Sequence, residues 1–200
     1  MLFLKEPAPG RIESLRSARS FAPFSYLQVG ATESSPPAGW RVHHRRALVG
    51  RGPEDHARAV RALLSWRLLE IEGLTVYPSA PTVVPQAEVA ILSRHLGIWS
   101  VDFCRVVHRF DQVFDADREH LTTGFTYGTL PGHAMRGEER FSIEHHPGTG
   151  EVWYDIFSFS RPATWLVRLA APFARATQRR FARASMENAA RLAREENAAG

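Results

Sequence analysis

The chain has 200 residues, enough for one domain with a substantial core, and its composition of 44% hydrophobic and 23% charged residues is typical of a folded globular protein. A formal net charge of +4 does not by itself indicate a nucleic-acid-binding protein. The single cysteine, Cys104, excludes an intramolecular disulfide and a zinc site built on several thiolates. No stretch is apolar for long enough to span a membrane, so we expect a soluble, cytoplasmic protein.

The first part of the chain is mostly irregular. Residues 1–23 mix Pro, Gly, Ser and Arg without periodicity, and we interpret them as a flexible N-terminal tail, with a docked arm as the alternative. Residues 24–200 are then interpreted as a single domain. A strand is predicted at 40–49, and the Pro, Glu and Asp that follow at 53–55 are typical of a first helical turn.

A helix is predicted over 53–69, because Ala59, Leu63 and Trp66 recur at helical spacing. Six further strands are predicted between Gly and Pro turn signals, at 74–77, 87–95, 98–110, 121–130, 136–146 and 151–160. Strands this close in sequence pair as antiparallel neighbours, since parallel pairing needs a long crossover.

A long C-terminal helix is predicted over 162–194, with a kink at Pro172 and with Trp165, Leu169 and Phe173 on one face. It is the only predicted element long enough to cover the apolar face of the sheet. The predicted fold class is therefore α+β, with a helix-grip-like curved antiparallel sheet of about seven strands wrapped on this helix. Such a sheet often leaves a cavity against its helix, where small ligands bind.

Several segments resemble a family of bacterial and plant proteins known as domain of unknown function nineteen-ninety. The resemblance spans residues 26–181, and the matching segments are 26–32, 39–40, 48–52, 73–76, 104–107, 125–133, 137–141 and 157–162. The family name attaches no activity to the chain. The element order is also similar to that of the helix-grip superfamily of birch-pollen-allergen, lipid-transfer and polyketide-cyclase proteins, a resemblance of architecture that implies no particular function.

Polar side chains interrupt the apolar faces of three predicted strands. Arg105 lies on a face with Val101 and Phe103, and Glu139 lies on a face with Phe141. If the strands meander in order, these two charged residues and Tyr127 form a polar stripe on the concave floor. Two interpretations stay open, a set that orients a ligand or transfers protons, and a structural ion pair that closes the sheet.

Four other residues complete the predicted ligand-binding set. Thr129 shares a face with Tyr127, and His133 lies at the tip of the following turn, where an imidazole suits acid–base chemistry or is a solvated turn residue. Phe157 on the last strand and Trp165 at the start of the final helix are predicted to line the cavity. Ser158 and Ser160 lack the sequence of a nucleophile elbow, so no catalytic residue is assigned.

The remaining polar clusters favour no metal, cofactor or nucleic acid. His43 and His44 are adjacent, as are His145 and His146, so each pair points to opposite faces of its strand and chelates no single ion. Three arginines of the last helix share one face at a spacing of four, and we interpret them as its solvated outer face: Arg175, Arg179 and Arg183.

The sequence thus predicts a protein that binds a small apolar or lipid-like ligand in a cavity between sheet and helix. Two alternatives remain. One is an enzyme of cyclase or hydrolase type that uses the same cavity, with Glu139, Arg105 and His133 as candidates. The other is a peripheral protein that places its basic C-terminal helix on an anionic surface. The ligand, any reaction and the oligomeric state do not follow from the sequence.

Overall fold

A computed structural model describes residues 1–95, 97–115, 117, 119–169 and 171–195, with the side chains of 166, 169, 171–175 and 178 outside the description. The strands are β1 (Leu2–Phe3), β2 (Arg41–Arg51), β3 (Leu74–Tyr77), β4 (Glu88–His95), β5 (Ile98–Phe114), β6 (Leu121–Thr129), β7 (Met135–His146) and β8 (Glu151–Pro162). The α-helices are α1 (Pro9–Ser17), α2 (Gly52–Leu64), α3 (Trp165–Leu169) and α4 (Ala171–Arg194). Short 3-10 turns lie at Ala31–Glu33 and Arg67–Leu69.

The strands form one antiparallel sheet in the order β2-β8-β7-β6-β5-β4-β3, and β1 pairs with the beginning of β5. Strands β3 to β8 follow one another as a meander, because each connection between them is short. The first long strand, β2, instead pairs with the last strand, β8, over the full length from Arg41 to Arg51. Bulges interrupt the β2–β8 and β5–β6 ladders, where they increase twist and curvature.

One face of the sheet, here called the helix-side face, packs against α2 and α4. Phe125, Phe141 and Tyr154 lie in this core together with Leu63 of α2 and Leu192 of α4. The helix α2 begins where the sequence predicts: two acids lie in its first turn, and the Asp55 carboxylate accepts a hydrogen bond from the Arg51 amide at 2.7 Å.

The opposite face, here called the arm-side face, is covered by residues 1–40, the N-terminal arm. Ile12 of α1 is fully buried against Phe103 and Leu130. The amino group of Met1 donates to the carbonyl of Val101 at 2.7 Å, beside the pairing of β1 with β5. The contacts of residues 1–23 are those of the docked arm, and the division of the chain into a tail and a domain at residue 23 stays a prediction.

The predicted fold class is confirmed, with strand bounds that differ from the expected ones by a few residues. The predicted helix at 53–69 ends as α2 at Leu64 and continues as the 3-10 turn at Arg67–Leu69. The kink predicted at Pro172 stays a prediction, because residue 170 and the side chains of 169 and 171–175 lie outside the described residues. In the described part of the chain, no helix combines the length and apolarity needed to cross a bilayer.

Candidate functional site

The helix-side face carries one carboxyl group among apolar side chains. Glu139 on β7 lies directly opposite Tyr127 on β6, and the Tyr127 hydroxyl donates to Glu139 Oε2 at 2.8 Å. Burial raises the pKa of Glu139 to about 7, and the hydrogen bond from Tyr127 opposes that rise. Burial, reinforced by the neighbouring carboxylate, also raises the pKa of Tyr127 well above its usual range. The pair is therefore a neutral hydroxyl beside a carboxyl that gains or loses its proton near neutral pH.

Trp66 covers this pair. Its ring lies parallel to Tyr127, with centroids 6.2 Å apart, and 4.8 Å from the ring of Phe125. Its backbone is in the left-handed region (φ 63°) just after α2, which turns the indole back onto the sheet. The indole Nε1 is buried and has no hydrogen-bond partner among the residues that the structure describes. An unpaired buried donor is costly, so this N–H is a donor available to a bound group.

The polar row continues across the sheet. Glu139 pairs in register with Ser158 on β8, and Ser158 pairs with His43 on the edge strand β2. In the described part of the chain, the Nε2 atom of His43 is buried without a partner, and so is the Oγ of Ser160, which follows Ser158 on the same face of β8. His43 and Ser160 thus lie at the same end of the sheet as Glu139, whereas a further buried unpaired atom, His56 Nε2, lies near His145 at the other end.

Arg105 is not part of this row, and the prediction that it faces the interior beside Glu139 is wrong. Its neighbours Cys104 and Val106 face the helices, so Arg105 points to the arm-side face. There it contacts Glu88 on β4, with 2.5 Å between Nη2 and Oε1, and donates to the carbonyls of Arg19, Ser20 and Ala22. The guanidinium is fully paired and fastens the N-terminal arm to the sheet.

Glu138, the neighbour of Glu139, also faces the arm. It accepts hydrogen bonds from the Tyr26 hydroxyl, the amides of Gly30 and Thr32, and the Thr32 hydroxyl, at 2.6–2.9 Å. Tyr26 reaches it across Gly128, where a Cβ atom would lie only 2.1 Å from the Tyr26 oxygen. This carboxylate is satisfied by the protein itself.

Of the other predicted site residues, two lie near the end of the hairpin between β6 and β7. His133 Nδ1 accepts from the Met135 amide at 2.9 Å, with Asp102 Oδ1 3.7 Å away, and burial lowers the pKa of His133 although Asp102 opposes the shift. Thr129 Oγ1 exchanges hydrogen bonds with the backbone of Gly137 and lies 2.6 Å from Ser25 Oγ. Neither has a contact to Glu139, and their ligand-binding roles stay predictions.

The last two predicted residues lie elsewhere. Phe157 is on the arm-side face, where its ring contacts His44 and the Arg140 guanidinium lies over it, so its predicted place in the cavity is wrong. Trp165 at the start of α3 is 70% exposed, and its role stays a prediction. Leu169 and Phe173, predicted on the same helix face, have side chains outside the described residues.

Sequence reasoning missed Trp66, His43 and Ser160 as site residues. The helical spacing predicted Trp66 on the apolar side of a helix at 53–69, but α2 ends at Leu64, and the left-handed turn that lays Trp66 on Tyr127 has no sequence signal. The adjacent pair His43 and His44 does point to opposite faces as predicted, and that alternation identifies His43 as an inward-facing residue.

A curved antiparallel sheet with a C-terminal helix packed on one face is the arrangement of a helix-grip α+β protein. The chain belongs to the family described as domain of unknown function (DUF1990), whose model matches residues 25–188. The resemblance seen in the sequence is therefore confirmed.

Relatives called UPF0548 proteins occur in a bacterium and in a plant. A UPF0548 protein of Deinococcus radiodurans is 36% identical over 195 residues, covering 92% of this chain and 94% of the relative. One of Arabidopsis thaliana is 36% identical over 149 residues, covering 74% and 71%. The crystal structure of hypothetical protein jhp0584 from Helicobacter pylori aligns with a TM-score of 0.52 at 8% identity, over 82% of this chain and 93% of that one. This last similarity is one of fold alone.

Proposed function

We propose that this protein binds a small, mainly apolar molecule between the helix-side face and α4, and that Glu139 and Tyr127 hold one hydrogen-bonding group of that molecule. The observation that carries the proposal is Glu139 itself. It is a carboxyl group on an apolar face, its pKa is raised to about 7, and its one partner in the described structure is a hydroxyl group. Ionisable groups with strongly shifted pKa values on apolar surfaces cluster at functional sites.

The surroundings of Glu139 suit an apolar ligand with few polar contacts. Trp66, Phe125 and Phe141 supply aromatic surface around Tyr127. Near pH 7 the carboxyl is present in both protonation states, so it donates to a carbonyl or accepts from a hydroxyl. The unpaired indole N–H of Trp66 is a second donor toward the same region. A few converging polar groups in an apolar surface are the usual composition of a small-molecule site.

An enzyme that uses the same cavity is the second candidate. A carboxyl with a pKa of about 7 is suited to general acid–base catalysis. However, the two residues predicted to act with it do not reach it: Arg105 is on the other face, and His133 is held at a hairpin. Binding without turnover is therefore the function that the arrangement favours.

The peripheral-protein alternative rests on the basic helix α4. Arg183 is paired with Glu187 and Arg191 with Glu195, so part of the positive charge of the helix is compensated within the helix. Arg175 has its side chain outside the described residues, and Arg179, although exposed, lies near His43 of β2 rather than on the outer face predicted for it. We propose, as from the sequence, that no nucleic acid is bound and that the helix meets solvent on its outer side.

The test uses N-phenyl-1-naphthylamine, a neutral apolar fluorophore with one N–H donor. We expect saturable fluorescence enhancement with the wild-type protein and an affinity about three- to ten-fold lower for Tyr127→Phe, since one hydrogen bond near the probe is worth about 1 kcal/mol. Tyr77→Phe is the matched control, because Tyr77 lies on the edge strand β3 and packs against the arm-side core. It leaves the affinity unchanged.

Mass spectrometry of molecules retained through purification under native conditions complements the titration. Retention of an apolar molecule by the wild type and its loss from Tyr127→Phe supports the proposal. A protein that retains nothing and shows only linear, unsaturable probe fluorescence does not bind in this cavity, and the proposed function is then rejected.

A further inference from the structure

A cluster of cationic and imidazole side chains lies at the edge of the same face. Arg41, His43 and Arg45 alternate along β2, so all three point toward α4. Arg179 of α4 lies close enough to His43 to affect its titration. These four residues, here called the Arg–His cluster, come from the edge strand and from the helix that covers it.

None of the three arginines has an acidic partner in the described part of the chain. Arg45 donates only to the backbone carbonyl of its neighbour His44, at 2.9 Å. Two other arginines of the same strand are compensated: Arg46 pairs with Glu144 at 2.5 Å and Arg51 with Glu151 at 3.2 Å. The strand therefore has paired arginines along one part and unpaired arginines beside His43.

His43 itself lacks a full set of partners among the described residues. Its Nε2 atom is buried and has no hydrogen-bond partner within that part of the chain. Burial, and then the charges of Arg41, Arg45 and Arg179, lower the pKa of His43, so the ring is neutral at pH 7 and brings hydrogen-bonding capacity without adding charge. An oxyanion bound here would pair with the arginines and accept a hydrogen bond from the His43 imidazole.

The cluster is in line with the Glu139–Tyr127 pair. His43, Ser158 and Glu139 are consecutive partners on β2, β8 and β7. Two strand spacings separate His43 from Glu139, which is about 10 Å between backbones. A molecule that lies across the sheet under α4 thus reaches both groups when its neutral polar group and its charged end are about that far apart.

We propose that the Arg–His cluster binds an oxyanion carried by the ligand, a carboxylate, sulfonate or phosphate at one end of an otherwise apolar molecule. This inference rests on the proposed function and narrows it from apolar ligands in general to acidic amphipathic ones. Arg41, Arg45 and Arg179 supply the charge, and His43 supplies a hydrogen bond from the floor of the site.

Two fluorophores that differ by one group test the inference: N-phenyl-2-naphthylamine and its sulfonated form, 6-anilinonaphthalene-2-sulfonate, whose amine and sulfonate lie at opposite ends of the naphthalene. The wild type binds the sulfonate about ten-fold more tightly, as expected for a charge-assisted hydrogen bond of about 1.4 kcal/mol. The double variant Arg41→Gln/Arg45→Gln loses this preference and keeps its affinity for the neutral probe. Arg51→Gln/Arg61→Gln, with the same change in net charge, keeps both affinities, because these side chains lie outside the cluster.

The outcomes separate the two proposals. Equal affinities of the wild type for both probes, or a preference that survives in Arg41→Gln/Arg45→Gln, overturn the oxyanion site and leave the proposed function intact. If neither probe binds, the proposed function fails as well. Competition distinguishes the source of the anion: displacement of the sulfonate by inorganic phosphate supports a site that also takes free oxyanions, and displacement by dodecyl phosphate alone supports a headgroup site that requires the apolar chain.

Discussion

Glu138 and Glu139 are consecutive residues of β7, but they lie on opposite faces of the sheet and differ in how many hydrogen bonds they accept. On the arm-side face, Glu138 accepts four hydrogen bonds, all from residues of the N-terminal arm. On the helix-side face, Glu139 accepts one within the described structure, from Tyr127. The Glu138 carboxylate is therefore fully hydrogen-bonded to the N-terminal arm, whereas the Glu139 carboxyl keeps capacity for further hydrogen bonds. Only Glu139 is a candidate for ligand recognition.

The arginines repeat the contrast. Arg105 on the arm-side face has a carboxylate and three backbone carbonyls around it. Arg41 and Arg45 at the edge of the helix-side face have no acidic partner in the described structure. Burial of charge alone does not mark a functional site, because structural networks bury charges too. On the helix-side face, the ionisable Glu139 has one described hydrogen-bond partner, and Trp66, His43 and Ser160 each carry a buried polar atom without a partner among the described residues.

The largest effect should follow from breaking the arm-side network. Arg105→Met leaves Glu88 as a buried carboxylate without its cation, and we expect a loss of about 3–5 kcal/mol in the free energy of unfolding. Urea denaturation measures this loss, with Arg61→Met on the exposed side of α2 as the control. A loss below about 1 kcal/mol would show that Arg105 does not hold the arm to the sheet.

The sequence could predict only part of this difference between the two faces, and the reason is physical. The strands and the C-terminal helix were predictable from turn residues and periodicity, and the inward positions of Tyr127 and Glu139 followed from alternation. On β5 alternation failed, because both of its faces are buried: Phe103 packs under the arm, and Val106 packs under the helices. With apolar residues on both faces, nothing in the strand itself says which face Arg105 occupies.

The sequence left the docked N-terminal arm as an alternative to a flexible tail for a related reason. Its order comes from long-range contacts, such as Ile12 on Phe103 and Tyr26 on Glu138, rather than from any periodicity of its own. Tyr26 approaches Glu138 across Gly128. A glycine within a strand indicates that another group lies close to the backbone, but it does not show which residue that group belongs to. The unpaired atoms of His43 and Trp66 likewise depend on tertiary packing.

A smaller effect should appear in the pH dependence of stability. The unfolded chain releases the Glu139 proton near the ordinary pKa of 4.5, and the folded protein releases it near 7. The folded state therefore binds the proton more tightly, and this contribution to stability is complete below pH 4.5 and is lost as the pH rises through 7. We expect about 2 kcal/mol, less than the full shift would give, because the side chain keeps some contact with solvent.

Glu139→Gln removes this contribution. The free energy of unfolding of wild type minus that of Glu139→Gln should fall between pH 4.5 and pH 8, measured by urea denaturation at each pH. Glu70→Gln, at an exposed position, should show no such trend. A wild-type curve that runs parallel to that of Glu139→Gln over the whole window means that the carboxyl is solvated and ionised like any surface acid.

The most direct test of the account compares Glu138→Gln with Glu139→Gln at pH 7.5, for both stability and affinity for N-phenyl-1-naphthylamine. We predict that Glu138→Gln loses about 2 kcal/mol of stability, because an amide group replaces an acceptor among four donors, while its probe affinity stays that of the wild type. Glu139→Gln should be at least as stable as the wild type and bind the probe several-fold differently. If the two variants changed stability and probe affinity alike, the two faces would not have separate roles, and the account would be contradicted.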